Sequence, residues 1–463
     1  MPNDFSQGPV WKRILQQALP LMLAAFVQLL YNVVDRIYIG HLPRVGAIAL
    51  TGIGLTFPIP TLVLAFTYLF ATGGAPLFAM ARGAKETDRA RRLQGATTVL
   101  LLICSVVLFL FCFFFRRPIL YLFGASDRSF PYADQYISYY LFGTPFVMFS
   151  TGLNFFINAK GFPRKGMMTT VIGAILNLIL DPIFIFLFGM GVRGAAIATV
   201  ISQLVSAVWV FHFVTGKEVL IPLRREDLRL KGAPVRSIIS LGFAGFIQQA
   251  TNCLAQIVCN VALARYGGAA GDLYIGIMTV VNSVREILQL PIYGLTGGAQ
   301  PVMSFNYGAK DYRRVRDAVK FTLKFGFLYT LVSWLIVLAI PHLLMSIFTS
   351  DPAVISTGQH SLRVYFIGFI FMAFQYVGQA CFTSMGCAKR AVFFSLFRKA
   401  ILVTPLAFLL PLIPGIGVDG VFLSESISSL VGGLACITTM YFTLYRRVLM
   451  KEPDRLGPAP RRT

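Results

Sequence analysis

Apolar residues run along this chain in blocks long enough to cross a bilayer, separated by short polar stretches. A transmembrane helix needs about 20 mostly apolar residues at about 1.5 Å each. On that criterion the pattern predicts helices over 13–39, 46–80, 93–115, 133–158, 167–188, 194–215, 236–264, 272–306, 318–340, 356–385, 391–411 and 419–445. The short alternating strands of a transmembrane barrel are not seen. The fold class is all-α, a polytopic membrane protein of twelve transmembrane helices. The opening "MPNDFSQGPVWKRILQQALPLML" lacks the short apolar core and cleavage site of a signal peptide, so its apolar block reads as the first helix.

Composition agrees: 56% of residues are hydrophobic and only 13% charged, with a mean hydropathy of +0.71. The net charge of +22 suggests nucleic acid until the charges are placed. Lys12, Arg13, "RGAKETDRARR" (82–92), "KGFPRK" (160–165), "RREDLRLKGAPVR" (224–236), "KDYRRVR" (310–316), Lys389, Arg390 and the tail fall on one side. Little beyond Arg44, Arg116, Arg117, Arg128, Arg193 and Arg265 falls on the other. By the positive-inside rule both termini are cytoplasmic, in a multi-pass protein of the plasma (inner) membrane. The charge is topological, and no nucleic-acid partner is expected. Six of the seven cysteines lie within spans and Cys387 just beyond the end of one; they form no CxxC or Cys/His cluster and read as packing residues.

An internal repeat sets the architecture. "GAPLFAMARGAKETDRARR" (74–92) aligns with "AQPVMSFNYGAKDYRRVR" (299–316) at a spacing of 225: Pro76 matches Pro301, Gly-Ala-Lys 83–85 matches 308–310, and Arg91 matches Arg316. The same spacing pairs Phe123 with Phe348, Gly143 with Gly368 and Gly161 with Gly386. With a small shift, "FVQLLYN" (26–32) matches "FIQQATN" (246–252), pairing Gln28 with Gln248 and Asn32 with Asn252. Six helices per half is an even number, so the halves are parallel repeats, an arrangement of secondary transporters. The expected domains are a six-helix lobe at 1–215, a cytoplasmic linker at 216–235, a second lobe at 236–447 and a cytoplasmic tail at 448–463. Gly and Pro within spans (Pro20, Pro58, Pro60, Gly73, Gly74, Pro291, Gly297, Gly298) permit bending.

At this point the residues resemble the multidrug and toxic compound extrusion (MATE) transporters. The resemblance rests on "NAKGFPRKGMMTTVIGAILNLILDPIFIF" (158–186), "NSVREILQLPIYGLTGGAQPVMSFNYGA" (282–309) and "VDRIYIGHL" (34–42), and covers essentially the whole chain. It implies a V-shaped pair of lobes that export diverse, often cationic compounds by H⁺ or Na⁺ antiport.

Four carboxylates lie well within spans: Asp35, Asp181, Glu286 and Glu425. Counted from the outer helix ends, Asp35, Asp181 and Thr199 share a depth of roughly 8–11 Å. Asn32 and Asn177 lie one turn further in, on the same helix faces. Gln28 and Gln203 extend the stripe. A buried carboxylate costs about 2.5–3.5 kcal/mol even on a lenient scale, whereas Asn or Ser would suffice as interhelical glue. The expected cation-coupling set is therefore Asp35, Asn32, Asn177, Asp181 and Thr199, carrying H⁺ or, at Asp35, Asn177, Asp181 and Thr199, Na⁺. Similar family members use Asp and Asn on helices 1 and 5 and a Thr on helix 6, which maps onto Asp35, Asn177, Asp181 and Thr199. In the second lobe Ala255, Leu402 and Leu406 stand opposite Asp35, Asn177 and Asp181, so the ion site is expected to be one-sided. Substrate contacts are assigned to Glu286 near mid-bilayer, Gln28, Gln248 and Gln375. Glu286 has the alternative of a salt bridge to another helix.

The resulting reading is a monomeric, cation-coupled exporter of drugs or toxic metabolites, with no cofactor beyond the coupling ion and no enzymatic activity. Scattered histidines and the absence of HExxH, GxSxG or Walker motifs weigh against a lipid-modifying enzyme. A flippase for lipid-linked precursors would favour a strongly basic interior, whereas the central charges here read as partly acidic.

Overall fold

The computed structural model describes residues 4–40, 52–123, 126–216, 218–230, 232–349 and 351–450. Among these, eleven helices are long and apolar enough to cross a membrane, and a bent pair makes the twelfth. We number them α1 (Val10–Gly40), α2 (Gly52–Gly83), α3 (Thr87–Leu122), α4 (Phe130–Ala159), α5 (Pro163–Leu187), α6 (Gly191–Thr215), α7 (Pro234–Tyr266), α8 (Leu273–Gly308), α9 (Tyr312–Ala339), α10 (Pro352–Phe366 and Phe369–Ser384, bent by 40°), α11 (Ala388–Leu412) and α12 (Asp419–Leu449). Most are longer than the apolar blocks that announce them, because helical turns continue into polar flanks where water can satisfy the ends. Pro163 and Pro352 sit at helix starts, and the Asp311 side chain caps α9 by accepting from Arg314 N at 3.1 Å.

The chain packs as two compact units. One comprises Leu19–Gly242; the other comprises Phe5–Ala18 and the chain from Phe243 onward. Both divisions fall inside helices, in α1 and α7. The first is anchored by Phe5, fully buried, whose carbonyl accepts from Asn306 Nδ2 at 3.1 Å. In the first unit α2 packs on α3 and α4, and α6 on α4 and α5; in the second, α8 packs on α9 and α10, and α12 on α10 and α11. These seams are lined by small residues, such as Ser424, Ser428, Ser429, Gly432 and Gly433 on α12. Gly73 and Gly242 bring α2 and α7 into backbone contact: a Cβ on Gly73 would meet Ile238 O at 2.0 Å. Close approach, rather than bending, is what Gly73 provides.

The duplication is visible in the backbone. The two non-glycine residues with positive φ among those described are Lys85 (63°) and Lys310 (60°), 225 apart, and Gly161 (91°) and Gly386 (73°) repeat that spacing. Left-handed turns are costly for a lysine, so their recurrence marks two copies of one turn.

Candidate functional site: two unlike interiors

Three helices of the first unit build the first site. On α5, Asn177 and Asp181 lie one turn apart, so the Asn177 Nδ2 donates to Asp181 Oδ1 at 3.2 Å. The same nitrogen reaches across to Thr199 Oγ1 on α6 at 3.3 Å, while the Thr199 hydroxyl donates to Ala195 O at 2.9 Å. Asp35 of α1 completes the group, its carboxyl paired with that of Asp181. Asp181 is 1% exposed and Asn177 2%. Immediately after Asp181, Pro182 has no N–H to give, and α5 widens into a π-type turn over Ile183–Leu187. Such turns recur at functional sites in helices.

This group borders a cavity of about 780 Å³ whose wall includes Gln28, Tyr31, Asp35, Asn177, Thr199 and Gln203. Asn177 Oδ1 is buried with no donor among the described residues, which leaves an acceptor beside two carboxyls. Oxygens of this kind suit a proton or a hard cation. Sequence reasoning missed three tyrosines here. Tyr31 lies beside Thr199 and within electrostatic reach of both carboxyls, Tyr140 lies beside Gln203, and Tyr136 stacks on Tyr140 at 5.6 Å. Their signal was present: Tyr31 lies one turn before Asp35, and Tyr136 and Tyr140 share a face of α4. Of the expected set, Asp35, Asn177, Asp181 and Thr199 are brought together. The Asn32 side chain lies outside the described residues.

The second unit has a different interior. Gln248 and Gln375, expected as substrate contacts, line a small chamber with Asn252, Gln379, Arg398 and Lys399. Gln375 Nε2 donates to Phe394 O at 3.2 Å, and Gln379 donates to the Ser395 hydroxyl. Arg398 and Lys399, inside α11, were not among the candidates, because an apolar-block reading passes over two charges in a long run. Both are buried, at 6% and 3% exposure, where α11 widens into a π-type turn over Phe397–Val403. Lys399 Nζ meets Glu425 Oε1 of α12 at 2.5 Å. Arg285 of α8 lies within electrostatic reach of Glu425, Tyr365 and Tyr376. Among the described residues this unit's interior therefore holds three bases and one carboxylate, where the expectation was a partly acidic centre. Glu286, next to Arg285 on α8, is exposed, and no salt bridge to it forms among the described residues.

Outside the spans the most electrostatically unusual of the described groups is a lysine. Lys160, in the turn between α4 and α5, is buried against the Phe78 ring, its Nζ without a hydrogen-bond partner among the described residues. Burial, helped by the Arg82 guanidinium, pushes its ammonium down to about 7.

Comparison with known proteins accords with this architecture. The chain is 24% identical over 437 residues to the multidrug export protein MepA of Staphylococcus saprophyticus, covering 94% of this chain and 95% of that one. MepA of Staphylococcus aureus is likewise 24% identical, over 441 residues. Among solved structures, a MATE in complex with MaL6 superposes with a TM-score of 0.89 at 21% identity, covering 97% of this chain and 99% of that one. An outward-facing multidrug resistance MATE transporter of the MOP superfamily also gives 0.89, at 22% identity, covering 96% and 98%. The MatE family model matches twice, over residues 20–183 and 246–409, one copy per repeat. With both repeats accounted for, the chain belongs to the MatE family: it is a MATE transporter and not an enzyme.

Proposed function

We propose that this protein is a multidrug exporter driven by cation antiport, with the coupling ion held in the first unit at Asp35 and Asp181. The observation that carries the reading is the paired carboxyls beside Asn177 and Thr199 at the wall of a large cavity. The relatives named for multidrug export support the substrate class. A proton is the favoured ion, because two carboxyl groups in contact are held together by one proton between them. Na⁺ would instead draw on Asn177 Oδ1 and the carboxylates. Binding of the ion needs to favour one conformation by on the order of 1–3 kcal/mol to couple to substrate. Gln28, Gln248, Gln375 and the exposed Glu286 remain the proposed substrate contacts, in a monomer of the inner membrane with both termini cytoplasmic.

The test is ethidium transport in proteoliposomes under an imposed pH gradient or an imposed Na⁺ gradient. Asp181→Asn keeps the shape and fixes the charge at zero, and is expected to abolish gradient-driven efflux while leaving equilibrium drug binding. If it still pumps at near the parental rate, Asp181 is structural glue. Topology is tested by cysteines at the exposed repeat pair Arg92 and Asp317, both expected to label only from the cytoplasmic side. The basic interior of the second unit favours a second reading, flipping of an anionic lipid-linked precursor. Translocation of a lipid-linked sugar in the same proteoliposomes, without dye efflux, would select it.

A further inference from the structure

We propose that the interior of the second unit binds one small anion at Arg398 and Lys399. Four charged groups meet there: Arg285, Arg398 and Lys399 against Glu425 alone. Lys399 and Glu425 form a pair at 2.5 Å, which leaves two guanidinium groups with no carboxylate of their own among the described residues. A guanidinium does not give up its proton in a protein, so burial cannot be relieved by neutralisation. Arg398 is only 6% exposed, and its Nη1 has no hydrogen-bond partner among the described residues. Its stem is accommodated by Gly432, where a Cβ would lie 3.3 Å from Arg398 Cγ. The side chain is thus seated in a built position with one donor open.

The open space next to it has the right size and lining for an ion. Arg398 and Lys399 border a chamber of about 10 Å³, room for about one water-sized atom. The amide side chains of Gln248 and Asn252 face it from α7, and Gln375 faces it from α10, its oxygen unpartnered and neutral. No carboxylate lines the chamber. Buried charges are retained when they are paired, and here a bound anion supplies the pairing that the chain does not. Counting from Gly161 and Gly386, the positions of Arg398 and Lys399 are occupied in the first unit by Gly173 and Ala174, which line its large cavity. One copy of the repeat thus keeps open space beside two carboxyls, and the other fills that space with bases. An ion of chloride size, or one carboxylate oxygen of a substrate, satisfies the same donors.

The experiment uses the purified full-length protein in detergent without any gradient, so its result is independent of the efflux reading. Thermal unfolding is followed as bromide or formate replaces gluconate, an anion too large for the chamber, at constant ionic strength. A saturable rise in the midpoint is expected, absent in Arg398→Met and partly kept in Arg398→Lys. A rise with bromide identifies an inorganic ion, and a rise with formate alone identifies a substrate carboxylate. Identical midpoints in all three salts would overturn the proposal. Should Arg398→Met not fold, crystals soaked in bromide decide: an anomalous peak beside Arg398 is expected, and its absence there overturns the site.

Discussion

The two units share one backbone plan, down to the left-handed Lys85 and Lys310, yet their interiors have opposite chemistry. The first places Asp35, Asn177 and Thr199 at the wall of a cavity of about 780 Å³, with Asp181 bonded to Asn177. The second has Leu402 and Leu406 at the repeat positions of Asn177 and Asp181, and Arg398 and Lys399 at those of Gly173 and Ala174. A handful of side chains on one helix, α5 or its copy α11, thus separates an oxygen-lined chamber from a base-filled one. In a duplicated protein the backbone is inherited twice, and a substitution at a helix seam can convert space into charge without disturbing the packing of the remaining turns.

The strongest way to break that comparison is to write one interior into the other. Gly173→Arg with Ala174→Lys places the second unit's bases in the first cavity, where even a Cβ at 173 would meet Ser206 Oγ at 2.6 Å. Near-complete loss of dye efflux is expected in protein that still elutes as a single species on gel filtration. Retained efflux would mean that the cavity is not the path of ion or drug.

Removing the one carboxylate of the second unit's buried charge cluster comes next. Glu425→Leu leaves three bases unscreened and is expected to cost about 3–5 kcal/mol in chemical unfolding. Adding Lys399→Met should recover much of that loss, because the pair is then removed together. Failure to recover would show that Glu425 mainly screens Arg285 and Arg398.

A smaller effect is expected from Tyr31→Phe, which removes the hydroxyl beside Thr199 and the two carboxyls. The loss is about 1 kcal/mol, the size of one polar contact, and it should weaken efflux severalfold without changing which gradient drives it. An unchanged rate would assign Tyr31 to packing.

The smallest effect on transport is expected from Lys160→Met, which gives the first unit the residue found at repeat position 385. Lys160 binds its proton less tightly when folded, at about 7, than the ordinary 10.5. The unfolded chain therefore carries the extra proton between those values, and folded stability rises with pH across that window. The parent should melt progressively higher from pH 7 upwards. The variant should melt a few degrees higher near pH 7 and lose that part of the slope.

Much of this was legible in the sequence, for physical reasons. An apolar block of bilayer length has few alternatives to a helix, since every backbone group must be satisfied within it. The i,i+4 relation of Asn177 and Asp181 is a property of helix geometry, so one facing implies the other. Counting residues from the helix ends led to the grouping of Asp35, Asp181 and Thr199, which do lie together. Arg398 and Lys399 were not found, because nothing in a linear pattern tells a base facing a polar seam from one at a helix end. The tyrosines were missed for a related reason: a phenol packs equally well in a core and beside a carboxyl until its neighbours from other helices are known.

The sequence by itself determined the helical spans, the duplication and the acidic stripe, because these depend on composition and on distances along one helix. Only the tertiary structure decided that Phe5–Ala18 packs with the second unit, that Arg285 is turned towards Glu425 while Glu286 is exposed, and that Lys399 meets Glu425. Each of these is a relation between residues distant in the chain or a choice between faces of one helix. Such choices are set by what packs on each face, and that information is spread over several helices rather than written in any one of them.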